Sequence, residues 1–227
     1  MKSESLSGFQ DYKVSDTDKE WVLYHNCFSL CSRKVRVCLK ELDIAAELKH
    51  IDIIETNDCE NLEKKFLKIN PKGRVPALVT EKGILTENPA IMYYICQLFP
   101  EKKLAPTDPY ELAKAQAFNM YLSSTVHVGH AHKHRGHRWT NDESALASLT
   151  ANVKKNMTDY AEYIENNLIS GPWVLGDNYS ICEPYLALVT RWFRDDGVDL
   201  NPFQKIKNHN IKFHERANVK KVMELHQ

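Results

Sequence analysis

A chain of 227 residues with 43% hydrophobic and 26% charged side chains has the composition of a globular protein that holds one large domain or two small ones. Thirty basic and thirty acidic side chains cancel, so no net charge favours nucleic acid or an anionic membrane as a partner. No apolar run approaches the roughly 20 residues that span a bilayer, so we expect no membrane-embedded segment.

The amino-terminal residues and the cysteines indicate where the protein works. Residues 1–20 are polar with little periodicity, and we expect them to form a loose leader. They lack the apolar segment of a secretory signal. The six cysteines follow neither a disulfide framework nor a zinc-site spacing. These features together predict a protein of the reducing cytoplasm.

The first regular elements alternate between strand and helix. Residues 21–24 (Trp-Val-Leu-Tyr) predict a strand, and the segment from Ser29 to Leu42 predicts a helix with an apolar face. Residues 46–53 alternate well enough to predict a second strand. The charged segment 56–69 carries only a weak helical pattern.

The segment from Asn70 to Leu78 is the most informative turn of the sequence. Pro-Lys-Gly at 71–73 predicts a turn, and Val75-Pro76 leads straight into an apolar run. Pro76 cannot donate a ladder hydrogen bond, and X-Pro bonds are those for which the cis form is accessible. Such a turn would leave the N–H and C=O of Val75 free for an extended, peptide-like ligand. The alternative is an ordinary turn before a hairpin strand.

The next elements complete a recognisable order. Residues 80–83 predict a hairpin turn, and residues 84–85 a short strand. Asn88 suits the N-cap of the following helix and Pro89 its first position. Strand, helix, strand, an irregular or helical segment, two strands and helix together describe a thioredoxin-like domain, which we place at 21–99.

The remainder of the chain has a different pattern. Residues 100–109 hold three prolines without periodicity and predict a linker, and residues 110–227 predict an all-helical domain. Ser180 and Glu183 form a Ser-x-x-Glu capping box, in which the serine accepts the N–H of the glutamate and the glutamate side chain reaches back. Pro184 then lies just inside the helix.

This arrangement, with Val75-Pro76 and Glu87-Asn88, resembles the glutathione-binding domain of cytosolic glutathione transferases. The segment 173–183 resembles the hallmark of the family's helical domain. The resemblance covers about residues 21–225 and implies an α/β thioredoxin-like domain followed by an all-α domain, a homodimer, and glutathione as co-substrate. The family usually has Ser at the position of Asn88 and Asp at that of Glu183, and both replacements can make the same contacts.

The resemblance also implies how glutathione is held. Val75 would pair with the cysteinyl backbone through both main-chain groups. Glu87 would bind the α-amino group, and Asn88 the γ-glutamyl carboxylate. Lys72 or Arg74 would meet the glycyl carboxylate, unless these cations are simply solvated. The alternative for Glu87 and Asn88 is an ordinary helix cap.

Two residues at the predicted start of the first helix suit sulfur chemistry. Ser29 and Cys31 lie where free N–H groups and the helix dipole favour an anion. The Ser29 hydroxyl can donate to the glutathione sulfur. Alternatively Cys31, near Arg33, Lys34 and Arg36, becomes a thiolate that attacks a glutathione-bearing intermediate or forms a mixed disulfide. The structural alternatives are an N-cap serine and a small buried cysteine.

The run Ser29-Leu30-Cys31-Ser32 resembles two branches of the family. One is the zeta class, which includes maleylacetoacetate isomerases and has Ser-Ser-Cys, although Leu30 replaces the second serine here. The other is the glutathione-dependent reductive dehalogenases, whose active cysteine matches Cys31. We interpret Cys27 as a loop thiol without a role.

Residues 127–137 contain five histidines. His130, His134 and His137 share a helical face and can in principle bind a metal ion. No carboxylate or cysteine completes such a site, and the two glycines in the segment weaken the helix. We therefore expect no metal.

His127 has a separate interpretation by resemblance. It matches a histidine of bacterial beta-class transferases that faces the glutathione sulfur, while Trp139 and Tyr121 are candidates for an apolar wall of the cleft. The alternative is that these residues lie on a helix surface or at a dimer contact.

These observations predict a bacterial-type enzyme that conjugates the glutathione thiolate to small apolar electrophiles. Within the enzyme class, the alternative is chemistry through Cys31, namely thiol transfer, reductive dehalogenation or cis-trans isomerisation. From another class, the alternative is a non-catalytic binding or stress-regulatory protein, because fold does not fix function.

Overall fold

The computed structural model describes residues 21–50 and 60–224. The predicted leader at 1–20, the end of the predicted second strand and the start of the charged segment lie outside the described residues. In the described part of the chain, no helix is both long and apolar enough to cross a lipid bilayer.

A four-stranded mixed sheet organises the amino-terminal half of the described chain. Its strands are β1 (Trp21–His25), β2 (Ala46–His50), β3 (Ala77–Thr80) and β4 (Gly83–Thr86). They lie in the order β2-β1-β3-β4, with β1 and β2 parallel and the other two pairs antiparallel. The accompanying helices are α1 (Leu30–Glu41), α2 (Lys64–Leu67) and α3 (Asn88–Leu98). The predicted thioredoxin-like fold is therefore confirmed.

Alternate residues of a strand point to opposite faces of the sheet, and each face is covered by its own apolar cluster. On one face, Leu23 and Leu78 join the main core with apolar residues of α1 and α3. On the other face, Val22, Val79 and Phe66 of α2 form a smaller cluster.

The carboxy-terminal half is helical, as predicted. Its helices are α4 (Pro109–Tyr121), α5 (His127–Arg135), α6 (Glu143–Asn167), α7 (Cys182–Asp195), α8 (Gln204–Glu215) and α9 (Ala217–Glu224). Asp108 and Asp142 cap the first turns of α4 and α6 through their side chains. α1 packs against α7 and α9, so it belongs to both halves of the core. The domain boundaries at 99 and 110 stay a prediction.

A π-helical segment over Leu122–Val126 joins α4 to α5. α5 then runs through Gly129, which the sequence reading took as a weak point of the helix. The glycine allows a close approach, because a Cβ atom at this position would lie 2.7 Å from Cε2 of Tyr160 on α6. The packing of α5 on α6 thus offsets the low helix propensity of glycine.

Two helix starts differ from the sequence prediction. α3 begins at Asn88 with Glu87 as N-cap, so Asn88 is the first helical residue rather than the cap. At α7, the Ser180 hydroxyl donates to Glu183 Oε1 and accepts from the N–H of Cys182. The Glu183 carboxylate binds Val174 N–H and His209, which are partners from outside the first turn.

Candidate active site

The loop between β1 and α1 is fixed by side chains that bind its own backbone. Asn26 Oδ1 accepts hydrogen bonds from the N–H groups of Phe28 and Ser29. Ser29 is the N-cap of α1, and its hydroxyl oxygen accepts the N–H of Ser32 at 3.2 Å. The N-cap alternative for Ser29 is therefore correct, and it leaves the hydroxyl proton of Ser29 available to a ligand.

A cleft of about 640 Å³ lies between this loop and the helices α5 and α7. Ser29, Cys31 and His127, which the sequence reading named as catalytic candidates, all line it. The remaining lining residues are Asn26, Phe28, Leu30, His50, His130, Lys133, His134, Arg135, Arg191, Trp192 and Asp195. Residues from distant parts of the sequence thus face one cleft.

His127 stacks on the ring of Trp192, with ring centroids 4.7 Å apart. The pKa of His127 is lowered to about 3, mainly by burial and next by the nearby ammonium of Lys34. The imidazole is consequently neutral at neutral pH. A neutral ring can accept a hydrogen bond from a thiol in the cleft.

Lys34 is fully buried beneath this cleft. Its Nζ lies 3.7 Å from the ring centroid of Tyr185 and 4.7 Å from that of Trp192. Among the described residues, Nζ has no hydrogen-bond partner. Burial lowers the pKa of Lys34 to about 8, and attraction to Cys31 opposes this effect.

From the sequence alone, Lys34 is one of three cations near the Cys31 thiol, and its burial is not predicted. A signal for its burial was present, because Lys34 follows Leu30 by four residues and precedes Cys38 by four. Residues at this spacing share one helix face, and here that face is buried.

The residues predicted to hold glutathione form a second group outside the cleft, and this second group consists of Lys72, Arg74, Val75, Pro76, Glu87 and Asn88. The Val75–Pro76 peptide bond is cis, and the β1–β3 ladder begins only at Ala77, so both residues lie outside the paired strands. Glu87 has a φ of +71°. This left-handed conformation costs a residue other than glycine on the order of 1–3 kcal/mol and is concentrated at ligand sites.

The second group has its own internal contacts. The Lys72 ammonium forms an ion pair with Glu87 and donates to the Thr86 hydroxyl at 2.8 Å. Asn88 is buried, and its Oδ1 has no hydrogen-bond partner within the described residues. Arg74 is exposed, and its charge is one of those that lower the pKa of His127. None of these residues lines the cleft.

Tyr185 of α7 connects the two groups. Burial raises the pKa of its hydroxyl well above the usual range, and the charges of Cys31 and Glu87 act in the same direction. The same hydroxyl is within hydrogen-bonding reach of the Asn88 side chain. The buried Tyr185 therefore lies close both to Cys31 of the cleft and to Glu87 and Asn88 of the second group.

Tyr121 and Trp139, the candidates for an apolar wall, do not line this cleft. Tyr121 packs against Tyr160 and Tyr163, and Trp139, 49% exposed, packs against His132. The wall that α5 and α7 supply instead carries imidazole and charged groups. The alternative for these two residues, a place on a helix surface or at a dimer contact, stays a prediction.

The histidine-rich segment makes protein contacts. His130 binds Asp196, with its Nδ1 2.7 Å from a carboxylate oxygen, and also stacks on Trp192. No group of three or more His, Cys, Asp or Glu side chains in residues 21–50 and 60–224 is arranged to hold a metal ion.

The fold and the cleft together define a class of protein. A thioredoxin-like sheet carries a serine and a cysteine at the start of its first helix, and an all-helical half closes the cleft above them. Residues 23–103 match the family model described as glutathione S-transferase, N-terminal domain. The chain belongs to the glutathione S-transferase family.

Relatives of known structure and sequence agree with this assignment. A glutathione transferase homologue from Sulfitobacter, solved with bound glutathione, is 36% identical with a TM-score of 0.84, covering 90% of this chain and 97% of that one. Glutathione S-transferase GstA of Escherichia coli O157:H7 is 27% identical over 191 residues, 83% of this chain and 90% of that protein. A probable maleylacetoacetate isomerase of Caenorhabditis elegans is 26% identical over 191 residues, 83% of this chain and 86% of that protein.

Proposed function

We propose that this protein is an enzyme that binds reduced glutathione and transfers its thiolate to a small electrophile. The observation that carries the proposal is the convergence of Ser29, Cys31 and His127 on one cleft, next to the group formed around Val75 and Glu87. The bound glutathione in the 36% identical Sulfitobacter homologue supports the choice of ligand.

Glutathione would bind along the second group. Val75, which precedes the paired part of β3, would pair with the cysteinyl backbone, while Glu87 would exchange Lys72 for the ligand's α-amino group. Asn88 would bind the γ-glutamyl carboxylate near the start of α3, where the helix dipole favours an anion. Lys72, once released, or Arg74 would meet the glycyl carboxylate.

The ligand's sulfur would then lie at the start of α1. Ser29 uses its oxygen to cap the helix and keeps its O–H to donate to the thiolate, which stabilises the charged form. Neutral His127 would accept a hydrogen bond from the thiol and so orient it, while the proton leaves to solvent, because a ring with a pKa of about 3 does not hold a proton at neutral pH. The main gains in rate would come from thiolate formation and from holding the two reactants together.

The wall formed by α5 and α7 changes our expectation for the electrophile. It presents the imidazole groups of His127, His130 and His134 together with the guanidinium of Arg191. These groups favour an electrophile that carries polar or acidic substituents over the wholly apolar one expected from the sequence.

The second candidate function is isomerisation or thiol transfer through Cys31. Two observations favour it: Cys31 lines the cleft, and several relatives are named maleylacetoacetate isomerases. A Cys31→Ser variant separates the candidates. Conjugation that is retained while disulfide reduction or isomerisation is lost would assign the second activity to Cys31.

Calorimetric titration with reduced glutathione tests the main proposal. We expect saturable binding by the wild type, strong weakening by Glu87→Ala, and no change in Glu101→Ala, which removes another carboxylate exposed on the surface. Absence of binding at millimolar glutathione would contradict the proposal and favour a non-catalytic role for the fold. Sedimentation of the same samples tests the homodimer, which the family resemblance implies.

A further inference from the structure

Cys27 and His50 form a thiol–imidazole pair at the edge of the sheet. β1 and β2 are parallel with His25 opposite His50, so their carboxyl ends lie side by side and the loop after β1 returns to the end of β2. Cys27 Sγ lies 3.2 Å from His50 Nδ1. Cys27 is partly exposed, whereas the thiols of Cys38 and Cys182 are buried.

The surrounding hydrogen bonds indicate which residue of the Cys27–His50 pair is the donor. Asn26 Oδ1 accepts two backbone N–H groups, so its amide nitrogen is the atom that faces His50 Nε2, at 3.4 Å. Nε2 therefore accepts, and a neutral His50 carries its proton on Nδ1. His50 consequently donates to the Cys27 sulfur, which is the arrangement that stabilises a thiolate.

The buried guanidinium groups of Arg33 and Arg36 add positive charge near the Cys27 sulfur. Arg33 is only 8% exposed, its Nη2 donates to the carbonyl of Cys27, and its Nε has no hydrogen-bond partner among the described residues. Burial lowers the pKa of Arg33 and Arg36, and attraction to a thiolate at Cys27 acts in the opposite direction. Partly exposed thiols in positive surroundings are the reactive ones.

We infer that Cys27 is a second reactive thiol, separate from the proposed catalytic residues, and that it takes up a glutathionyl group from glutathione disulfide. His50 stabilises its thiolate by donating a hydrogen bond, and Arg33 and Arg36 stabilise it by charge. This assigns a modification site to a residue that the sequence reading interpreted as having no role.

The step is a thiol–disulfide exchange. The thiol of Cys27 releases its proton to water, and the thiolate attacks one sulfur of glutathione disulfide. A bond forms between Cys27 Sγ and that sulfur, while the disulfide bond of the reagent breaks. The departing glutathione thiolate takes up a proton, so one thiol is consumed and one is released. Because Asn26 and His50 line the cleft, the added group is placed at its rim.

The test uses the full chain with Cys31→Ser, so that the thiol inside the cleft does not contribute. Folded protein is incubated with excess glutathione disulfide, and the modified peptides are quantified by mass spectrometry. We expect the Cys27 peptide to become modified and those of Cys38 and Cys182 to stay free. Adding His50→Phe should slow modification about tenfold, since one hydrogen bond to a charged sulfur is lost.

Controls separate this result from general effects. His132→Phe alters a histidine that packs on Trp139 and should leave the rate unchanged. Iodoacetamide is a much smaller reagent, and its rates of alkylation at Cys27 should rank the variants in the same order. Such agreement would exclude a steric effect of the introduced phenyl ring on glutathione disulfide. Since Cys27 does not line the cleft, Glu87→Ala should leave its modification intact, and Cys27→Ser should keep conjugation.

Two results would overturn the inference. One is an unmodified Cys27 under conditions in which Cys31 of the wild type takes up glutathione. The other is an equal rate of modification in the His50→Phe and His132→Phe variants. Neither result depends on whether the protein conjugates glutathione, so failure here is distinguishable from failure of the proposed function.

Discussion

The starts of α1 and α7 are built from nearly the same residues and serve different purposes. Ser29-Leu30-Cys31 begins α1, and Ser180-Ile181-Cys182 leads into α7. In both, the serine oxygen accepts a backbone N–H at 3.2 Å. At α7 the hydroxyl also donates to a buried carboxylate, and Cys182 is buried against the carbonyl of Ala115. At α1 both side chains face a cleft.

The difference shows that residue type alone does not make a reactive site. Burial raises the pKa of the Cys182 thiol well above its usual range, and the neighbouring Glu183 acts in the same direction. The Ser180 hydroxyl, the Glu183 carboxylate and the Cys182 thiol at the α7 start each have a protein partner. At α1, the Ser29 oxygen is occupied while its O–H has no acceptor within the described residues, so it is available to a ligand.

The largest expected effect is the loss of the buried carboxylate at α7. Glu183→Ala removes the partner of Ser180, of the Val174 N–H and of His209, all of which are buried. Breaking a buried pair by removing one partner costs about 3–5 kcal/mol. We expect a loss of that size in the free energy of unfolding, measured by urea titration.

A matched variant at the surface gives the reference for this loss. Glu162→Ala removes an exposed carboxylate from α6 and should change the free energy of unfolding by less than about 0.5 kcal/mol. Equal losses in the two variants would mean that the α7 start is not the fixed structure described above.

The second-largest effect is expected at the start of α1, where the role of the Ser29 hydroxyl can be tested by measuring enzyme activity. Ser29→Ala should lower kcat about 100-fold, because a preorganised donor to the developing thiolate is lost, while stability should fall by only about 1 kcal/mol for the missing cap. Ser29→Asp should restore the cap and not the activity, since a carboxylate accepts but cannot donate. Activity restored by Asp would show that Ser29 acts only as a cap.

The sequence predicted the fold well because its main signals are local. The strand β1, the helix from Ser29 and the long helix from Asp142 follow from periodicity and capping residues. The pattern at Ser180 also identified a helix start, but the predicted hydrogen bonds of its capping box were wrong. The reason is that Val174 and His209, which bind Glu183, come from segments that only the tertiary fold brings there.

The site was predicted where it depends on one helix start and missed where it depends on packing. Ser29 and Cys31 could be named from the first turn of α1 alone. The burial of Lys34 depends on Tyr185 and Trp192 of α7, which no local pattern places over it. The Cys27–His50 contact likewise follows from the parallel pairing of β1 with β2, a long-range property.

The third prediction concerns Lys34 of α1, whose ammonium lies over the rings of Tyr185 and Trp192 of α7. Its pKa is about 8 in the folded protein and about 10.5 in an unfolded chain. Between these values the unfolded state binds more protons, so folding stability rises with pH. Relative to Lys34→Met, the wild type should therefore gain stability from about pH 8 to about pH 10.5, by at most about 3 kcal/mol.

Urea titrations of both proteins across this range measure that gain. Lys220→Met, which removes an exposed lysine of α9, serves as the control and should show no such dependence. A difference between the wild type and Lys34→Met that stays constant with pH would mean that Lys34 is not held as a buried, unpaired ammonium.

The smallest effect is expected at the exposed ion pair of Lys72 and Glu87, whose side chains are 46% and 68% exposed. Exposed pairs contribute about 0–1 kcal/mol, so a double-mutant cycle with Lys72→Met and Glu87→Gln should give a coupling below about 0.5 kcal/mol. The corresponding cycle for Glu183 and His209 should give several times more. A weak pair lets Glu87 exchange Lys72 for a ligand's ammonium group at little cost. A coupling above about 1 kcal/mol would argue against that exchange, because the ligand would then have to displace a strongly held partner.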